Sequence, residues 1–562
     1  MEGKIDMAAT PGAASPESGC PVAGRPESEA GAILVPGRTC WRVAKADRMA
    51  VIIDAAAYFA RIKEAILHAR HTVMLIGWDF DTRIKLEPDD PMPDVPNELG
   101  DFLSWIVRVR PELTINVLKW DLAVLKMPFR GRTPLVLLDW LSSRRLRFRL
   151  DSAHPPGACH HQKIAIIDDA LAFCGGIDMT TDRWDTPEHR DDDPRRVRPG
   201  GEPYGPFHDV TTAVDGEAAR ALGELARERW RRATGDALLP PPPTEANWPE
   251  DLEPDFRDIP VAIARTDPMA DTGRADTGRA EEGSKPGVRE IEALYLAAIA
   301  AARRFIYLES QYFASQRIVA AIAARLSEPD GPEVVVVNPE RTPGWVEEEA
   351  MGSARSLLVQ RVREADPNGR FRILAPVTEG GQGIYVHAKV LVVDDRFLRV
   401  GSSNINNRSQ GLDTECDLAI ECPPGDGQEE SENCRAIRSV RTRLMAEHLG
   451  VAVEEVERTE EEETGSLVAT VDRLMRPSGR SLRPLEPGRL SEAEVALVDE
   501  RLLDPDRPEP MAKIILRGAT VFGDVNRTTL RIAAGVAAGA AIGLGLAVWA
   551  GRKGRRKNLR GE

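Results

Sequence analysis

The chain has 562 residues, enough for a large core, and its hydrophobic fraction of 42% is that of a globular protein. A formal net charge of −15 argues against a general nucleic-acid binder, which carries a basic balance or a basic stripe. Seven scattered Cys, with no Cys-x-x-Cys pair, exclude a zinc ribbon and predict no disulfide framework, a usage that suits a reducing compartment.

Residues 1–30 are rich in Ala, Pro, Ser, Gly and Glu, hold no apolar signal core and read as a disordered tail. Residues 31–239 form a first repeat. It has a helical apolar period over 58–70, a buried strand over 72–76, a further strand over 113–120 and a helix over 134–143. An apolar hairpin over 163–178 and an Arg-rich amphipathic helix over 218–232 complete it. Residues 240–287 begin with four Pro, contain a tandem ADTGR and read as an unpacked linker. Residues 288–450 repeat the series, with a helix then a strand within 298–313, a strand at 333–338, helices at 345–364 and 437–448, and a hairpin over 389–404. Residues 65–80 and 298–313 align without a gap, so the chain is an internal duplication. Alternating helices and doubly buried strands predict an α/β fold, specifically an α/β/α sandwich in two pseudo-symmetric halves.

Residues 451–528 are acidic and polar, and their run Glu460, Glu461, Glu462, Glu463 is expected to be solvated. Residues 529–562 hold an uncharged stretch (532–550), with Gly535, Gly539 and Gly543 spaced by four, followed by Arg552, Lys553, Arg555, Arg556, Lys557 and Arg560. The stretch predicts a membrane helix, and the basic tail an attraction to anionic lipid. The expected location is a cell membrane with the folded part on the cytoplasmic side.

Two short stretches share one pattern. His161-Gln162-Lys163 is followed four residues later by Asp168, and His387-Ala388-Lys389 by Asp394, in the same spacing. Residues two apart on a strand share a face, so each His and its Lys point the same way. Two Lys can neutralise the non-bridging oxygens of a phosphodiester, while one His attacks phosphorus and the other moves protons. No cofactor is expected and no metal-ligand set is apparent, since His154, His160 and His161 read as an incidental grouping.

The paired stretches resemble the duplicated His-x-Lys-x-x-x-x-Asp motifs of the phospholipase D superfamily. Ile306-Tyr307-x-x-x-Gln311, Phe207-His208-Asp209, Gly401-Ser402-Ser403-Asn404 and Glu415 extend the likeness, over roughly residues 31–450. The resemblance implies a catalytic set of His161, Lys163, Asp168, His387, Lys389 and Asp394, with Asp168 and Asp394 at the hairpin turns in a supporting role. Ser402 and Asn404 are expected to bind the substrate phosphate. Asp209 is expected to orient His161, and Glu415 to orient His387. Asp178 stands where the second half has Asn404 but is anionic, and is left out of the phosphate ligands. The function implied is a phosphodiesterase on phospholipids that works through a phosphohistidine, by phospholipase D hydrolysis or by phosphatidyl transfer of the cardiolipin-synthase type. A nuclease of the same superfamily is the alternative. The expected partners are a phospholipid substrate and a membrane, with no nucleic acid and a monomeric catalytic unit.

Overall fold

In a computed structural model, residues 32–89, 91–121, 140, 143–269, 287–341, 351–422, 431–501 and 504–508 are described. The N-terminal half contributes β1 (Arg42–Ile53), β2 (Thr72–Gly77), β3 (Thr114–Trp120), β4 (Leu146–Asp151), β5 (Ile164–Ile167), β6 (Leu171–Gly175), β7 (Phe207–His208) and β8 (Val210–Asp215). Then follow β9 (Phe256–Asp267), β10 (Val288–Arg289), β11 (Phe305–Ser310), β12 (Glu333–Val337), β13 (Phe371–Val377), β14 (Tyr385–Val386), β15 (Lys389–Val393), β16 (Phe397–Gly401), β17 (Glu415–Glu421) and β18 (Ser481–Pro484).

One mixed sheet runs through both halves in the order β18-β13-β12-β11-β15-β16-β17-β9-β1-β8-β6-β5-β2-β3-β4. Reading outward from its middle, β1-β8-β6-β5-β2-β3-β4 is matched by β9-β17-β16-β15-β11-β12-β13, and β18 is added at one edge. The duplication therefore meets at an antiparallel pair, β1 on β9, with Arg42 opposite Ile263 and Met49 opposite Phe256. Helices cover both faces, as the doubly buried strands require. Helices Gly216–Thr234 and Glu432–Leu449 share one core that spans the two halves. The opposite face carries a separate core in each half, against helices Ala55–Leu67 and Leu99–Val109 in one and Glu290–Ala301 and Gln316–Leu326 in the other.

Several expectations need correction. The stretch read as an unpacked linker contains β9, a central strand of the sheet. Its apolar pattern is broken by Arg257, Asp258 and Pro260, which disguised it. The tandem ADTGR lies outside the described residues. The polar segment after residue 450 adds β18 to the sheet, and the run expected to be solvated ends helix Val453–Glu462 with Glu460 paired to the buried Arg441. Cys422 and Cys434 are joined in a disulfide, which their scattered spacing did not suggest. Among the described residues no helix is long and apolar enough to cross a membrane, and the 532–550 stretch lies outside them, as do the tail 1–30 and nearly all of the helix expected at 134–143.

Candidate active site

Both motifs form the hairpins expected of them, β5 to β6 and β15 to β16. Asp168, Asp169, Asp394 and Asp395 make the turns with φ of 53°, 53°, 55° and 53°. Asp tolerates this left-handed conformation better than most residues, so Asp-Asp suits the turn. The turns lie at the far ends of the strands, on the order of 15 Å from the Lys that starts each one. Asp168 accepts the backbone N–H groups of Arg70, His71 and Thr72 at 2.6, 2.7 and 2.7 Å. Asp394 accepts those of Arg303, Arg304 and Phe305, each at 2.8 Å. Neither joins the His–Lys cluster. Each instead fastens its hairpin to the turn before β2 or β11, which corrects their place in the catalytic set.

The two His are held by crossed wiring. His161 Nδ1 lies 3.0 Å from both carboxylate oxygens of Glu415, and its backbone N–H donates to the Thr414 carbonyl at 2.9 Å. His387 Nδ1 lies 2.6 Å from Asp209 Oδ2, and its N–H donates to the His208 carbonyl at 2.7 Å. The expected assignment of Asp209 to His161 and Glu415 to His387 is therefore reversed. The reason is topological: β8 and β17 flank the central pair β1–β9, so each carboxylate emerges at the middle of the sheet and faces the other half's motif. Gly176 makes room for this, since a Cβ there would fall 2.1 Å from Asp209 Oδ1.

Each Lys bonds its own motif's carbonyl, Lys163 to His161 at 2.8 Å and Lys389 to His387. Beyond that they differ. Lys163 pairs with Asp178 at 3.3 Å, whereas Lys389 meets the amide oxygen of Gln311 at 3.4 Å. Ser402, expected on the phosphate, donates to Glu415 Oε2 at 2.6 Å and accepts from the Cys416 N–H at 3.0 Å, so it positions the carboxylate instead. Asn404 is buried and its Oδ1 has no hydrogen-bond partner. Of the histidines read as an incidental grouping, His154 sits 3.1 Å from Asp121 and His160 Nδ1 2.7 Å from Thr414 Oγ1.

Burial, then the neighbouring ammonium groups, holds both motif His well below their ordinary pKa. Burial also raises Asp209 to about 7 and Glu415 to about 8, and lowers Lys389 to about 7. In each pair the Nδ1 side faces its carboxylate, which leaves Nε2 for the cleft. Trp78 stands edge-on to His161 at 6.4 Å and stacks on Trp120 at 5.9 Å, while Phe207 and Tyr385 flank His387 at 5.5 and 6.4 Å. Arg183 was missed from the sequence. It lies 4.8 Å above the Phe207 ring, its buried Nε has no hydrogen-bond partner, and its charge acts on both His387 and Lys389. A lone Arg after the first motif carried no signal that could have found it.

Two His–Lys pairs at equivalent places in a duplicated α/β sheet define a two-motif protein of the His-Lys-Asp type. A family model described as "Cardiolipin synthase, PLD-like domain" matches residues 295–432, and one described as "Phospholipase D" matches residues 150–319. Phospholipase D alpha 3 of Arabidopsis thaliana is 24% identical over 74% of this chain and 66% of its own length. Phospholipase D alpha 1 of Vigna unguiculata is 24% identical over 72% and 65%. The chain thus spans slightly less than two thirds of these relatives. Among solved structures, phosphatidylserine synthase of Haemophilus influenzae is 13% identical with a TM-score of 0.49, over 76% of this chain and 96% of that one. The chain belongs to the phospholipase D superfamily.

Proposed function

We propose that the protein is a phosphodiesterase acting on phospholipids through a phosphohistidine. The observation that carries this is the crossed pair of motif His, each tied at Nδ1 to a carboxylate of the other half with a Lys beside it. The curated relatives are phospholipases D by name, which supports the lipid substrate. In the first step the Nε2 lone pair of His161 forms a bond to phosphorus. The P–O bond to the head group breaks, and the departing alkoxide takes the proton of His387 Nε2 while the Asp209 carboxyl, raised by burial to about 7, passes its proton to Nδ1. In the second step His387 takes a proton from water or an alcohol, whose oxygen attacks phosphorus and displaces His161. Lys163, Lys389 and Arg183 balance the charge gathered on the non-bridging oxygens. Attack is assigned to His161 on the family resemblance. Asn404 is retained as a phosphate ligand.

The setting proposed is a membrane surface on the cytoplasmic side, with residues 532–550 as the anchor. Their lack of charge and the basic residues that follow support it. The test is to incubate the purified protein with defined phospholipids, with and without glycerol, and to identify both products. Release of the head group as a free alcohol is the hydrolytic outcome, and a new phosphatidyl alcohol the transfer outcome. Cleavage of DNA but of no phospholipid would replace this reading with the nuclease. A chain lacking residues 529–562 is expected to leave the membrane fraction and still cleave a short-chain soluble substrate.

A further inference from the structure

Behind the His387–Asp209 pair lies a second cluster that the proposed chemistry does not use. Asp54 follows β1, His189 comes from the connection between β6 and β7, His208 ends β7, and Glu447 comes from helix Glu432–Leu449. Each brings one ligand atom to within 4.8 Å of all the others. His208 Nδ1 is 2.6 Å from Glu447 Oε1 and 3.3 Å from Asp54 Oδ1. His189 Nε2 is 3.1 Å from Glu447 Oε1 and 3.7 Å from Asp54 Oδ2. These separations bracket the edge of a tetrahedron around zinc, about 3.3 Å for bonds of about 2.0–2.1 Å.

The far nitrogen of each ring is already held by a carboxylate outside the cluster. Asp185 Oδ2 lies 2.8 Å from His189 Nδ1, and Glu309 Oε2 lies 2.8 Å from His208 Nε2. Such outer carboxylates place the ring proton on the far nitrogen and turn the inner lone pair toward a bound cation. Asp185 is itself fixed by Arg196 at 3.0 Å and by the Phe207 N–H at 2.9 Å. A second observation points the same way: Asp54 is fully buried, and its Oδ2 has no hydrogen-bond partner.

We propose that Asp54, His189, His208 and Glu447 bind one divalent transition-metal ion, zinc by the two-nitrogen, two-oxygen tetrahedral donor set. The two carboxylates balance the charge of the ion. Its role is to tie the end of β1 and the stretch before β8, both in the N-terminal half, to a helix of the C-terminal half. His208 precedes Asp209 in the chain and its carbonyl takes the His387 N–H, so the ion would brace the positioning of His387 without entering the cleft. No step of the phosphoryl transfer runs through it, and the site does not depend on what the cleft cleaves.

The test uses the full chain produced in medium supplemented with Zn2+ or, separately, Co2+. Metal content, visible absorption and the unfolding midpoint are read, none of which requires turnover. One ion per chain is expected, with the intense visible bands of tetrahedral Co2+ in the cobalt form. His189→Gln and Glu447→Gln should each lose the ion and unfold a few degrees lower than the loaded protein. Should those variants fail to fold, X-ray absorption of the zinc-loaded wild type should still show a nitrogen/oxygen shell near about 2.0 Å with imidazole scattering. A wild type without stoichiometric metal in both media, a sulfur or six-oxygen shell, or His189→Gln keeping a full equivalent would each overturn the proposal.

Discussion

The His–Lys pairs of the two halves occupy equivalent positions at the starts of β5 and β15, and both His are tied to a carboxylate of the opposite half. Their charge settings are not equivalent. Lys163 has Asp178 beside it, so its ammonium is matched by an anion. Lys389 has the neutral Gln311 amide in that place, and burial brings it down to about 7 against the pull of the Asp209 and Glu415 carboxylates. Duplication copied the geometry, while single substitutions, Asp178 against Asn404 and Trp78 against Gln311, divided the electrostatics. A symmetric frame can in this way supply one His–Lys pair whose lysine meets a carboxylate and another whose lysine meets a neutral amide.

The largest expected effect separates the two His. His161→Ala should abolish both turnover and the covalent adduct. His387→Ala loses a general acid, a cost of roughly 10²–10⁴-fold on a natural head group, and should be nearly normal in its first step on a p-nitrophenyl ester, whose leaving group needs no proton. That variant should accumulate phosphohistidine, mapped by peptide analysis under alkaline conditions. An adduct on His387 in the His161→Ala protein would reverse the two roles, and absence of any adduct in both would remove the covalent step.

The crossed wiring predicts which carboxylate serves which step. Glu415→Gln should slow adduct formation on every substrate by roughly 10²-fold or more, as loss of a His-orienting carboxylate does elsewhere. Asp209→Asn should be costly with a poor leaving group and mild with p-nitrophenol. The opposite pattern would mean that each carboxylate serves its own half's histidine in the working enzyme.

Lys389 gives the pH dependence. Its folded value of about 7 lies below the ordinary 10.5, so the ammonium is lost as pH rises through about 7. KM should then climb, approaching tenfold per pH unit, because the neutral amine no longer attracts phosphate. The stability sign is the reverse. Between about 7 and 10.5 the unfolded chain binds the extra proton, so this lysine costs stability below about 7 and the cost is relieved as pH rises. Lys389→Met should therefore raise the unfolding midpoint at pH below about 7 and lose that advantage above 10.5, while abolishing activity. A midpoint change that does not vary with pH would show that the cation is not strained by burial.

The smallest effect compares the two turns. Asp168 accepts three N–H groups in part-buried surroundings, whereas two of the three held by Asp394 are exposed to water. Asp168→Ala should cost about 2–3 kcal/mol and Asp394→Ala about 1 kcal/mol, both with the kcat of the remaining folded protein unchanged. Denaturant titration reads the first and initial rates the second.

Much of this was legible in the chain. The two motifs, their hairpins with Asp-Asp turns and the Arg-rich helices that follow are local patterns, and each appears where its period or spacing placed it. The misses have a common origin in contacts between residues distant in sequence. Glu415 lies 254 positions from His161, and Asp209 178 positions from His387, so nothing near either motif states which carboxylate it will meet. Ser402 sits in a turn that looks ready for phosphate, and only the folded chain brings Glu415 against its hydroxyl. β9 needs β1 and β17 on either side to make sense of a strand carrying Arg257, Asp258 and Pro260.

The β1–β9 seam also bears on how the protein is made. Phe256 must reach Met49, and β1 offers its outer edge to nothing until β9 has been synthesised, about 200 residues later. At about 5–20 residues per second on the ribosome, a twelve-residue edge stays bare for tens of seconds. Such an edge is a template for the wrong strand. Adding β9 covers β1 but leaves the other edge of β9 open until β17 follows, so chaperone demand should persist until translation has passed residue 421.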